Sequence, residues 1–120
     1  MACLVFLLWH SLVAALPTGA LYSRTLTLPI IGRQTVSLAI VSPSVARLLL
    51  SGHLVLDEPV VYQFLPSGDI KFHLTDETKR VLRAYRTTLI RAEYEEVSDT
   101  PVVVLSPPLP TLVHFRLKRV

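Results

Sequence analysis

The side chains able to do chemistry in this 120-residue chain are four histidines, nine acids and twelve cations. Their spacing favours binding over catalysis. His10, His53, His73 and His114 are scattered, no two stand four apart, and no H-E-x-x-H run occurs. A metal would have to gather His53, His73 and His114 with Asp57 or Asp69 from distant parts of the chain. That set carries no ligand signature, so no metal site is expected. Asp57-Glu58 and Asp76-Glu77 are adjacent carboxylate pairs. Sequence neighbours do not converge on one substrate atom, and turn or helix-cap roles suit them better. The four glycines are isolated and no G-x-S-x-G elbow is present. The chain therefore shows neither a phosphate loop nor a nucleophile elbow. No cofactor is expected, and the chain does not read as an enzyme.

The densest polar feature is Lys79, Arg80, Arg83 and Arg86, extended by Arg91. Such a cluster suits an anionic partner: an acidic protein, lipid headgroups or RNA. Balanced by Asp76, Glu77 and Glu93, it also suits a solvated helix face, and that plainer reading is the expectation. Pro107, Pro108 and Pro110 form a PxxP spacing that can dock in an aromatic groove, although prolines so placed more often end a strand. Arg116 and Lys118 make the C-terminal stretch basic. These nine residues are the candidate partner contacts.

Composition narrows the partner. The net charge is +3, with 51% hydrophobic and 18% charged residues. That is mild for a protein that must neutralise several phosphates, so a protein partner is expected before nucleic acid. The single cysteine, Cys3, rules out an intramolecular disulfide, and the absence of asparagine rules out N-glycosylation.

Met1 to Ser23 carries no charged side chain. A helix over Ala2–Leu16 would be about 22 Å long, short of the ~30 Å hydrocarbon core. The length suits a signal-peptide core, with cleavage after Ala15 or Ala20. No Lys or Arg precedes it, however, and Arg24 and Arg33 follow it, which weakens the usual orientation. Residues 1–20 are read as a signal- or anchor-like segment, a contact within a mitochondrial or other membrane complex, or a plain core helix. Residues 1–23 are the expected membrane contact.

Residues 21–120 are read as one domain. Tyr22–Ile30 and Val36–Ile40 alternate apolar and polar around Gly32, which predicts a hairpin. Ser42-Pro43 predicts the start of a short helix over Val45–Ser51, with Gly52 as its left-handed stop. His53–Asp57 reads as a short strand broken by Asp57-Glu58-Pro59. Val60–Leu65 and Ile70–Leu74 predict a second hairpin around Pro66–Asp69. Thr75 predicts the cap of an amphipathic helix with Leu82, Tyr85 and Leu89 in its stripe. Residues 87–97 either continue that helix or form a strand with Thr88, Ile90, Ala92 and Tyr94 on one face. Val102–Leu105 and Thr111–Lys118 read as strands.

The expected fold is α+β. It is mainly antiparallel sheet, with about six or seven strands, two hairpins, and one short and one longer amphipathic helix, preceded by an apolar N-terminal helix. The expected function is a small non-enzymatic interaction protein, secreted or membrane-targeted, acting through protein-partner or apolar-ligand binding. Two alternatives stand beside it: a structural subunit of a large organellar assembly such as a ribosome or respiratory complex, and a viral accessory protein acting on host partners. The secretory pathway or a membrane is the expected location, with the mitochondrion as the alternative.

Overall fold

The computed structural model describes residues 16–106 and 111–120. These form nearly all-antiparallel β-structure. The strands are β1 (Leu21–Leu28), β2 (Gly32–Ile40), β3 (Val45–Gly52), β4 (Leu56–Phe64), β5 (Asp69–His73), β6 (Thr88–Glu95), β7 (Thr100–Ser106), β8 (Val113–Arg116) and β9 (Lys118–Arg119). One helix, α1 (Asp76–Ala84), lies between β5 and β6. The sheet order is β8-β7-β6-β5-β4-β3-β2-β1-β9. Each strand from β1 to β8 thus pairs with its sequence neighbours as a meander. Leu117 bends the last segment, so that β8 pairs with β7 while β9 pairs with β1. One bent strand therefore joins the two sheet edges, and the result is a nearly closed barrel.

This corrects the α+β expectation. Nine strands replace six or seven. Val45–Ser51 is not a helix but most of β3, laddered on both sides to β2 and β4. The Leu48-Leu49-Leu50 run fits either period, and pairing on two sides decides it. Ala46, Leu48 and Leu50 are buried while Arg47 and Ser51 are exposed. Ser42 caps a turn instead of a helix, its hydroxyl accepting from the Val45 amide at 3.1 Å. Gly52 does hold a positive φ, of 125°, but for another reason. A Cβ there would collide with the Arg33 carbonyl across the β2–β3 pair.

Asp57-Glu58-Pro59 does not break a strand but lies within β4. Pro59 stands beyond the last β4–β5 pair, Val61↔His73. β4 has a free side there, which is where a strand tolerates proline.

The expected apolar N-terminal helix falls on residues outside the described ones. Leu16, where the described chain starts, is 2% exposed within the core. The Gly19 amide donates to the Ile40 carbonyl, and the Ile40 amide to that of Ala20.

Both expected hairpins are present, as β1–β2 and β4–β5. On the outer face of the first, the hydroxyls of Ser23 and Ser37, and of Thr25 and Thr35, pair at 2.7 Å. Its inner face contributes Tyr22, Val36, Leu38 and Ile40 to a core completed by Leu48, Leu50, Val60, Tyr62, Val103, Leu105, Phe115 and Leu117. This alternation is what one buried sheet face requires. Two voids against the core, among the described residues, measure about 20 and 10 Å³.

One polar side chain is built into the core. Gln34, 2% exposed, accepts from the Leu54 amide at 2.7 Å and donates to the carbonyls of Leu54 and Ser51 at 3.1 Å. It holds the β3–β4 turn against β2 and leaves no buried polar atom unpaired there.

Candidate functional site

Helix α1 starts as the sequence predicts. The Thr75 hydroxyl accepts from the Thr78 amide at 3.2 Å, and Asp76 and Glu77 occupy the first turn. Leu82 is buried and lines a small void with Val36, Leu48 and Val103 of the barrel interior. The helix therefore packs Leu82 against the barrel interior. It stops at Tyr85 through two bonds, Arg86 amide to Arg83 carbonyl and Thr87 amide to Leu82 carbonyl. That is the Schellman arrangement, which places a left-handed residue one position past the cap. Here that residue is Arg86, with φ 54°. A side chain other than glycine pays a conformational cost at such a position.

Residues 87–97 are not helical: Thr88–Glu95 is β6. Its alternation also differs from the expected one. A bulge lies between Leu89 and Arg91. Leu89 and Ala92 consequently face the core side and Ile90 is exposed. The expected stripe of Leu82, Tyr85 and Leu89 is divided between a helix and a strand. Tyr85 is exposed and stands edge-on to His53, 5.1 Å between ring centres.

An open cleft of about 460 Å³ lies beside α1, lined by Leu74, Lys79, Leu82, Arg83, Arg86, Thr87, Thr88 and Leu89. Its floor is leucine and its rim carries three cations. Among the described residues none of the three is in an ion pair. A second cleft of about 270 Å³ adjoins it, sharing Leu74 and Leu89 and adding Lys71, Phe72, Ile90 and Arg91.

The structure thus brings together three of the candidate contacts, Lys79, Arg83 and Arg86. Arg80 is turned away and pairs with Glu77 at 2.6 Å. Arg116 makes a two-pronged pair with Glu95 at 2.5 and 2.7 Å. That contact holds Glu95 below, and Arg116 above, its ordinary pKa. Lys118 is exposed in β9. Pro107, Pro108 and Pro110 lie outside the described residues. Arg91, which extends the basic cluster in the sequence, lines the second cleft, whereas the sequence missed Lys71, Leu74 and Leu89 as lining groups. The bulge that sets their directions leaves no signal in residue types.

A second polar cluster, also missed, stitches the barrel seam. The hydroxyls of Tyr22 and Tyr94 both donate to Asp99 Oδ1, at 2.7 and 2.5 Å. Arg119 pairs with Asp99 Oδ2 at 3.0 Å and donates to the Tyr22 oxygen at 3.1 Å. Its guanidinium carbon lies 5.5 Å from the centre of the Tyr22 ring. Burial first, then Asp99, pushes the Tyr94 phenol well above its usual value. Tyr22 rises too, again first through burial. Burial opposes ionisation of Asp99, but the two hydroxyls and Arg119 outweigh it and hold the carboxyl below its ordinary range. Both phenolic protons are committed to Asp99, so the cluster is built to fasten strands rather than to move protons.

No group of three or more potential metal ligands occurs among the described residues, and no described helix is long and apolar enough to cross a membrane. No protein-family model, curated protein or solved structure matches the chain.

Proposed function

We propose that the protein is a non-enzymatic binding module that takes an acidic protein partner on the cleft beside α1. One observation carries this reading: Lys79, Arg83 and Arg86 rim an apolar floor of about 460 Å³ without acidic partners of their own. The larger cleft contains cations, threonines and leucines, with no carboxylate or imidazole to serve as a general base. The small size of the voids against the core, about 20 and 10 Å³, supports contact at the surface over an apolar ligand held in the barrel. Delivery by residues 1–23 to a membrane or the secretory pathway remains part of the proposal. Removal of residues 1–15 would keep Leu16 in the core, whereas removal through Ala20 would take it away.

The test uses the full chain and a fluorescent octapeptide of alternating glutamate and valine. Binding that rises as salt is lowered, and that weakens about tenfold in an Arg83→Glu/Arg86→Glu variant, is the expected result. Equal binding by the variant would overturn the reading.

A second reading rests on three exposed apolar residues. Ile30, Val55 and Leu112 are 98%, 69% and 51% exposed. In an antiparallel meander, alternate connections share one end of the barrel. Ile30, Val55 and Leu112, which precede β2, β4 and β8, therefore lie at the end where α1 sits. Apolar tips beside cations also suit an anionic membrane surface. Co-sedimentation with phosphatidylserine vesicles, lost in an Ile30→Asp/Leu112→Asp variant, would favour this reading.

A further inference from the structure

β5 and β6 share only two residue pairs, Asp69↔Glu93 and Ile70↔Ala92. On its other side β5 stays paired with β4 as far as His73. β6 is paired with β7 from Thr88 onward. Lys71–His73 and Thr88–Arg91 therefore have a strand neighbour on one side only. Two sheet edges face each other across a slot, and the cleft of about 270 Å³ occupies it. The β6 bulge lies in the segment that has left β5, and bulges bend a strand away from its partner. Such an edge presents a row of backbone donors and acceptors that a further strand can complete.

The side chains around the slot specify what that strand must carry. Phe72, Leu74 and Leu89 are half-buried and lean toward the core. Lys71 and Arg91 line the slot, and Lys79, Arg83 and Arg86 continue the positive rim into the larger cleft. Asp69 is the one acid lining either cleft, at the closed end where β5 and β6 still pair. An extended chain directs successive side chains to opposite faces. One face can then meet the leucines while the other meets the cations. A helical ligand would leave both backbone edges unpaired.

We propose that the slot between β5 and β6 is a strand-addition site for an extended, acidic segment of a partner protein, with alternate apolar residues. The inference rests on the cleft being the binding surface, and it goes further by fixing the backbone conformation and side-chain pattern of the ligand.

The experiment compares the glutamate–valine octapeptide with two versions N-methylated on odd or on even residues, using the full-length protein. Odd and even methylation block opposite edges of a strand. Binding should weaken about fivefold for each backbone hydrogen bond removed, in both versions. Hydrogen exchange should slow at Lys71–His73 and Thr88–Arg91 when the unmodified peptide binds. Equal affinity for all three peptides, with the Arg83→Glu/Arg86→Glu loss intact, would reject strand addition and leave the cleft reading standing. No binding by any peptide would reject both. Binding to phosphatidylserine vesicles without binding to the peptide would replace the protein partner with a membrane.

Discussion

The Tyr22 hydroxyl donates to the Asp99 carboxylate, 77 positions further along the chain, across 2.7 Å. Tyr94 reaches the same oxygen, so a single carboxylate serves two phenols and fastens β1 to β6. Replacing it leaves the Tyr22 hydroxyl, on a fully buried residue, with only Arg119 for company. We expect Asp99→Ala to cost about 2 kcal/mol in urea unfolding, mostly through the lost hydrogen bonds. The part-exposed ion pair to Arg119 contributes little of that.

The same cluster fixes two pH limbs. Asp99 titrates lower when folded than unfolded. Its contribution is therefore complete above the unfolded carboxyl value of about 3.9 and is lost as pH falls through the folded one. Tyr22 and Tyr94 titrate higher when folded. Their contribution is complete below the unfolded phenol value of about 10 and is lost as pH rises through the folded values. Melting temperature should hold between these limits and fall beyond both. In Asp99→Ala both falls should be shallower, and unchanged slopes would count against the cluster as their source.

Gly52→Ala should cost about 3 kcal/mol or more, because the new Cβ meets backbone rather than a movable side chain. Gly68→Ala is the matched control. Gly68 also has positive φ, but the nearest atom to its Cβ would be the Tyr94 carbonyl oxygen at 3.8 Å. The excess loss of Gly52→Ala over the control, read by thermal unfolding, isolates the collision.

Arg86→Gly should move stability and binding in opposite directions. Glycine relieves the left-handed backbone and should raise stability by about 1 kcal/mol. Affinity for the glutamate–valine peptide should fall, because one of three rim cations is gone. A variant both more stable and equally tight would remove Arg86 from the site.

Much of the barrel is written as alternation. Tyr22, Val36, Leu38 and Ile40 stand in the apolar phase of their predicted strands and are buried, whereas Ile30, at the end of the first run, is exposed. The Thr75 cap is equally legible, because a hydroxyl, two acids and an apolar stripe occur together. β3 is not, since three successive leucines satisfy two periods and only its neighbours choose. The site was half legible. Lys79 and Arg83 share a helix, Arg86 stands just past its end, and the three advertise themselves by spacing. Arg91 extends that cluster in the sequence, but Lys71 joins it only because β5 and β6 part company, and a long-range pairing defect has no local sequence signature. The Tyr22, Tyr94, Asp99 and Arg119 cluster is illegible for the same reason.

The bent strand that joins β7 to β1 has a consequence for how the chain is made. Every other ladder joins strands adjacent in sequence, with α1 intervening only between β5 and β6, and is available soon after its residues leave the ribosome. The β1–β9 seam waits for Lys118 and Arg119. Until they emerge, β1 has a partner on one side only and is a template for any passing strand. A nascent chain stalled before Lys118 would keep that template exposed, with Tyr22 still lacking Arg119. Such truncated products are expected to aggregate or to be captured by chaperones far more than the finished barrel.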